Sequence, residues 1–209
     1  MSNQEEAKKY FLEGIKYYSD KNYDNAILKF EKSLALFPDR PSILLNLSKS
    51  YFQIKNYEKA ELQLWKLVSL NGLENEKKEA LNILLTIYFK TDDLSGINKI
   101  RNIFEYEKYF DDYTNIKIHF FYPKIFDSEK EIKIERNRYE KNILKLLNYS
   151  NLPKLDLIKN PFIPPNFSLS YDGNDNLEIN KNLIKLYKRI YPKLNVKTNY
   201  NRNKNKKIK

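Results

Sequence analysis

A hexapeptide returns in this chain: KNYDNA occupies 21–26 and KNYEKA occupies 55–60, an offset of 34 residues. No other feature constrains the fold as strongly. A unit of that length holds two helices and a turn, and stacked copies bury their faces in one shared core. On the same offset Tyr17 aligns with Tyr51, Ala26 with Ala60, Phe30 with Leu64 and Gly14 with Ser48.

The pattern predicts a first helix from Glu5 to Ser19, a tight KNY turn, and a second helix from Tyr23 to Leu36. Gly14 is small where the partner helix must come close, and Tyr17 follows on the same side nearly a turn later. Ala26, Phe30 and Ser33 form the inner stripe of the second helix. Pro38 stops it, and Pro41 opens the next, where a missing N–H costs nothing. In the second copy Leu44, Leu47, Ser48 and Tyr51 line the first helix, and Ala60, Leu64 and Leu67 the second. Trp65 stands among these as a packing or groove-edge residue. A worn third copy follows. Ala80–Phe89 reads as its first helix, with Tyr88 in the role of Tyr51 at an offset of 37, three residues being inserted around ENEKK. LSGINKIRNIF, 94–104, reads as its second, with Ile97 in the place of Ala60.

These positions resemble the tetratricopeptide repeat. Copy one supplies Tyr10, Gly14, Tyr17, Ala26, Phe30 and Pro38. Copy two supplies Leu44, Ser48, Tyr51, Ala60 and Leu64, and departs at Gly72, where the family has Pro. The resemblance implies an all-α helical-hairpin solenoid over 5–104, with repeats at 7–40, 41–74 and 75–104. It also implies a concave face built from the first helix of each copy. Lys8, Phe11, Ile15, Tyr18 and Ser19 would face it from copy one, and Ser42, Leu45, Lys49, Phe52 and Gln53 from copy two. Apolar and aromatic side chains beside Lys and an amide suit an extended peptide. Two readings stand: Phe11, Ile15, Tyr18, Leu45, Lys49 and Phe52 form a peptide groove, or Phe11 and Ile15 only close the stack while Leu45 is buried between repeats.

From residue 105 the periodicity is lost. NIKIHFFYPKIF, 115–126, alternates Ile116, Ile118 and Phe120 with Lys117 and His119 and is expected to be extended, with His119 on the polar side. Ser128 followed by Glu131 is a capping box. It opens a helix to about Tyr149, with an apolar stripe of Ile132, Tyr139, Ile143 and Leu147, and Glu135 and Arg136 on nearby faces. A loop with four prolines spans 151–173, and NFSLSY within it alternates like a short strand. Asp175 with Glu178 is a second possible capping box, before a helix over 176–190 whose buried side is Leu183, Leu186 and Ile190. The second half is thus expected to be a mostly helical linker over 105–195 with short extended segments, followed by a basic tail over 196–209.

This half has its own resemblance. Asp127, Ser128, Glu131, Ile132 and Arg136 match one motif, and Asn166, Phe167, Leu169, Tyr171, Gly173, Asn174 and Asp175 a second, one residue shorter in spacing. A helix end of Leu186, Tyr187, Lys188 and Pro192 completes them. Together they resemble the segment after the repeats in bacterial and algal relatives of the O-linked N-acetylglucosamine transferase and SPINDLY protein glycosyltransferases. In those enzymes a basic stretch and two nucleotide-sugar-binding lobes come next. The resemblance therefore implies the repeat arm and linker of such an enzyme, with KKIK as a cut edge and with catalytic lobes, if any, on a separate chain. Absent lobes would leave an apolar surface near Leu183 and Leu186 that pairs or aggregates. The family's Asn ladder for acceptor backbone has one match, Asn46, which joins the groove residues. Leu12 and Ile83 stand at the corresponding places.

Composition narrows the chemistry. There is no Cys and one His, so thiolate catalysis, Cys-ligated zinc and a multi-histidine metal centre are excluded. Four glycines, at 14, 72, 96 and 173, make no phosphate loop. Asp92–Asp93 and Asp111–Asp112 read as solvated charge in polar turns. No catalytic residue, metal or cofactor is expected. No signal peptide and no long apolar run are present, which sets the expectation of a cytoplasmic protein that meets no membrane. Lys and Arg number 38 against 27 Asp and Glu; 11 of the former and none of the latter lie in 179–209, which leaves 27 of each before it. The excess is terminal. Arg202, Lys204, Lys206, Lys207 and Lys209 form a candidate nucleic-acid tail, of the non-specific, salt-sensitive kind. A protein or peptide ligand is the favoured partner.

Overall fold

The Asn of each KNY turn starts a helix. The Asn22 side-chain oxygen accepts from the Asn25 N–H at 3.4 Å, and that of Asn56 from the Lys59 N–H at 3.2 Å. The lysine before each has positive φ, 59° at Lys21 and 61° at Lys55. Such a left-handed residue lets the next N–H fold back onto the ending helix. Asn22 N–H donates to the Tyr17 carbonyl and Asn56 N–H to that of Tyr51, both at 2.9 Å. A third turn does the same with different residues. Asp92 has φ 58°, Asp93 N–H donates to the Tyr88 carbonyl at 3.0 Å, and the Asp93 carboxylate caps the Gly96 N–H at 2.9 Å. Asp92–Asp93 is therefore the third copy's turn.

The computed structural model describes residues 2–103, 105–156, 158–160, 169–170 and 173–194. The chain divides into two compact units, Met1–Asp111 and Asp112–Lys209. In the first, α1 (Asn3–Ser19), α2 (Tyr23–Leu36), α3 (Pro41–Gln53), α4 (Tyr57–Ser69), α5 (Glu74–Thr91) and α6 (Leu94–Arg101) pack in sequence as three hairpins, with further contact of α1 with α3 and α3 with α5. This is the helical-hairpin solenoid that the period dictates. The stripes lie inside: Ala26, Phe30, Leu44, Ala60, Leu64, Leu67 and Tyr88 are all fully buried. Each large apolar side chain so buried contributes about 1.5–3 kcal/mol. A Cβ at Gly14 would stand 2.6 Å from the Phe30 ring, and one at Gly96 only 2.2 Å from the Tyr88 ring, so both hairpins close on the absence of a side chain. Helix α5 begins six residues before Ala80: the ENEKK insertion extends the helix at its start rather than forming a loop.

Tyrosines tie the copies together. The Tyr51 hydroxyl donates to the Glu31 carboxylate. The Tyr88 hydroxyl donates to Glu61 at 2.8 Å and accepts from the Trp65 indole N–H at 2.8 Å. Lys99 completes the group with a 3.0 Å ion pair to Glu61. Burial opposes ionisation of Glu61, but the hydrogen bonds from Lys99 and Tyr88 outweigh it and hold its carboxyl below the ordinary value. Burial, and then the bond to Glu61, push the Tyr88 phenol well above its own.

The second unit contains α7 (Asp112–His119), α8 (Glu129–Asn148) and α9 (Leu177–Ile190). Ile116–His119 are helical, not extended as the alternation suggests. Residues two apart lie about 200° apart on a helix, yet Ile116 and Ile118 are both buried, so α7 is covered on more than one side. Alternation over so few residues does not separate that case from a strand. Among the described residues there is no strand, and most of NFSLSY lies outside them. Ser128 caps α8 by accepting from the Glu131 N–H at 3.2 Å, while the Glu131 carboxylate reaches the Asp127 N–H at 3.0 Å. The second capping box does not form: Asp175 accepts from the Leu177 N–H at 2.9 Å, two residues on.

Glu135 is buried at 3 % exposure, not on an outer face as its charge suggests. Its carboxylate meets Arg138 at 2.5 Å, and that guanidinium also donates to the carbonyls of His119 and Phe121, just past the end of α7. Around Tyr139 and Ile143 of α8 gather Ile116, Phe120, Tyr122 and, from α9, Ile179, Leu183, Leu186 and Ile190. Leu183 and Leu186 are 2 % and 0 % exposed. These two side chains fill this core rather than facing outward, while Leu177 and Ile184 of the same helix are exposed.

Candidate functional site

The first helices of the three copies place their side chains on one another's flanks, and a cleft of about 330 Å³ opens among them. Tyr18 from α1, Asn46, Lys49, Phe52 and Gln53 from α3, and Glu79 and Ile83 from α5 line it. Four of the seven expected groove residues therefore meet in one place. Their geometry repeats with the sequence. Tyr18 meets the Tyr23 ring edge-on at 5.5 Å, and 34 residues later Phe52 meets Tyr57 at 5.8 Å. Each ring at the groove is thus braced by the first residue of the following helix. Asn46 donates its amide to the Ser42 carbonyl at 2.8 Å, which fixes the side chain along α3.

Charge crosses the cleft. Lys49 Nζ lies 2.5 Å from the Glu79 carboxylate, with side chains 31 % and 47 % exposed. Such a pair contributes at most about 1 kcal/mol to stability and opens readily to another partner. Lys90 sits over the Phe52 ring at 4.8 Å, a cation–π contact that adds positive potential at the aromatic wall. An apolar-aromatic wall, an amide and two separable charges can hold a peptide backbone and discriminate its side chains.

The remaining expected residues go elsewhere. Phe11 lies against Phe30, ring centroids 5.8 Å apart, and lines a second cleft nearer the start of α1. Ile15 is 36 % exposed on α1, a turn from both Phe11 and Tyr18. Leu45 is 7 % exposed and buried in the core, so it gives the groove little surface. Arg202, Lys204, Lys206, Lys207 and Lys209 lie outside the described residues. Glu79 and Lys90 were not anticipated. The offset of 37 holds the signal for Glu79, since it places that residue opposite Ser42, but a helix begun at Ala80 leaves it out. The His119 carbonyl accepts from Arg138 and Asn142, which makes this residue a helix end in the second unit.

Among the described residues no group of three or more His, Asp or Glu side chains is placed to hold a metal ion. No helix among them is long and apolar enough to cross a membrane. No curated protein and no solved structure matches the chain. A tetratricopeptide repeat family model matches residues 17–68, from the last turn of α1 to the last turn of α4. Over that stretch the chain is similar to the tetratricopeptide repeat, and the helical hairpins of the described residues agree with an all-α fold of that type.

Proposed function

We propose that the chain is a non-catalytic module that binds a protein or peptide on the first-helix face of its repeats. Residues 5–104 form the binding part and 105–195 a linker that follows it. The observation that carries this reading is the cleft where Tyr18, Asn46, Lys49 and Phe52 converge. Binding of short peptides from a random displayed library is the test. Selected peptides lose about tenfold or more in affinity on Phe52→Ala and on Lys49→Glu. Unchanged affinity on both variants removes the groove from the account.

A finer reading makes the chain the repeat and linker arm of a protein O-glycosyltransferase. Its support is Arg136. This residue of the first motif donates to the Asn176 side chain and to the Asp175 carbonyl, both at 2.6 Å, and so ties the first motif to the end of the second. That gives the two motifs a reason to occur together. In this reading the purified chain alone neither hydrolyses nor transfers from UDP- or GDP-sugars. Turnover of either donor by the chain alone overturns it.

A further inference from the structure

The second cleft lies between the first halves of α1 and α3, and it also measures about 330 Å³. Ala7, Phe11 and Ile43 supply apolar surface; Gln4, Lys8 and Arg40 supply the polar atoms. Ala7 and Ile43 are 3 % and 1 % exposed, so this surface belongs to the core and is held in place by it. Ser33 fixes the wall behind, donating its hydroxyl to the Ala7 carbonyl at 2.7 Å. The volume is at the lower end of the roughly 300–1,000 Å³ usual for small-ligand pockets, enough for an aliphatic side chain and the backbone beside it.

The charges at this cleft are of one sign. Lys8 and Arg40 are both exposed, and neither forms an ion pair with a described carboxylate. Arg40 is steadied instead by the Phe37 ring at 5.6 Å. The other cleft differs, because there Lys49 is already matched by Glu79. Two cations beside an apolar floor complement an apolar residue with acidic neighbours, and they repel the same residue flanked by Lys or Arg.

We infer that this cleft is an anchor site for a partner segment in which an aliphatic side chain enters between α1 and α3 while an adjacent Asp or Glu pairs with Lys8 and Arg40. The inference rests on the peptide-binding reading above and specifies the chemistry of its ligand.

Two sets of short synthetic peptides test it on the full chain by fluorescence anisotropy. One set carries a central Leu flanked by Asp and Glu, the other the same Leu flanked by Lys and Arg. Wild type binds the acidic set at least about tenfold more tightly than the basic set. The double charge reversal Lys8→Glu with Arg40→Glu inverts that order while circular dichroism stays helical. An inverted preference cannot arise from unfolding, which weakens both sets alike. Equal binding of the two sets to wild type, no binding of either, or a preference untouched by the reversal overturns the inference. If the acidic set binds and responds to Phe52→Ala but not to the reversal, the groove reading survives and this anchor site does not. If it responds to neither, both fall.

Discussion

The indole N–H of Trp65 donates to the hydroxyl of Tyr88 across 2.8 Å, from α4 to α5. One repeat earlier Glu31 takes the hydroxyl of Tyr51. Glu31 and Trp65 are 34 residues apart, so one position serves the same junction with an acceptor in one copy and a donor in the next. Trp65→Phe keeps most of the packing and removes the donor. It lowers stability by about 1 kcal/mol, the usual net value of such a bond, and chemical denaturation monitored by circular dichroism measures it. Trp65 is the single tryptophan. In wild type its fluorescence therefore reports this junction, and Tyr88→Phe shifts its emission.

Alanine is the better helix former than glycine by about 1 kcal/mol, yet Gly14→Ala and Gly96→Ala both destabilise. The added methyl meets the Phe30 ring in one case and the Tyr88 ring in the other. Overpacking of this kind costs about 1–3 kcal/mol, and urea midpoints resolve it. Gly96→Ala has the larger effect, because its contact is the closer and both rings are equally buried.

The three turns respond alike to substitution. Asn22→Ala, Asn56→Ala and Asp93→Ala each remove a helix cap and cost about 0.5–2 kcal/mol. Lys21→Gly and Lys55→Gly act in the opposite sense. Their left-handed backbone carries a strain of about 1–2 kcal/mol that Gly does not; part of the gain returns as unfolded-state entropy. Thermal melts of the five variants give the order.

Stability depends on pH through Glu61 and Tyr88 with opposite signs. Glu61 titrates below its ordinary 4.5 in the fold, so its contribution is complete above that value and is lost as acid carries the pH down through the depressed one. Tyr88 titrates above its ordinary 10.0. Its contribution is complete below pH 10.0 and is lost as the pH climbs from there towards the raised value. The stability gap between wild type and Glu61→Gln is therefore level near neutrality and shrinks below 4.5. That between wild type and Tyr88→Phe shrinks in strong alkali.

The repeats were legible because each constraint recurs. Tyr23–Leu36 and the Pro41 start follow from punctuation, and Ala26, Phe30, Ala60 and Leu64 from a stripe with one period. The third turn was legible only in part: Asp92 and Asp93 reproduce the roles of Lys55 and Asn56 with side chains that share no letters with them. In the second unit each position is used once. Glu135 looks like surface charge until Arg138 neutralises it from the next turn, and that pairing follows no period. Leu45 shows the limit at the groove, since one face of α3 serves both core and cleft, and the neighbouring helices decide how much of each side chain is covered.

Peptide binding on the first-helix face is the central claim, and amide chemical-shift mapping of the full chain with a library-selected peptide tests it most directly. The account predicts the largest shifts at Tyr18, Asn46, Lys49, Phe52 and Glu79, on α1, α3 and α5. Shifts confined to α2 and α4, or to the second unit, contradict it.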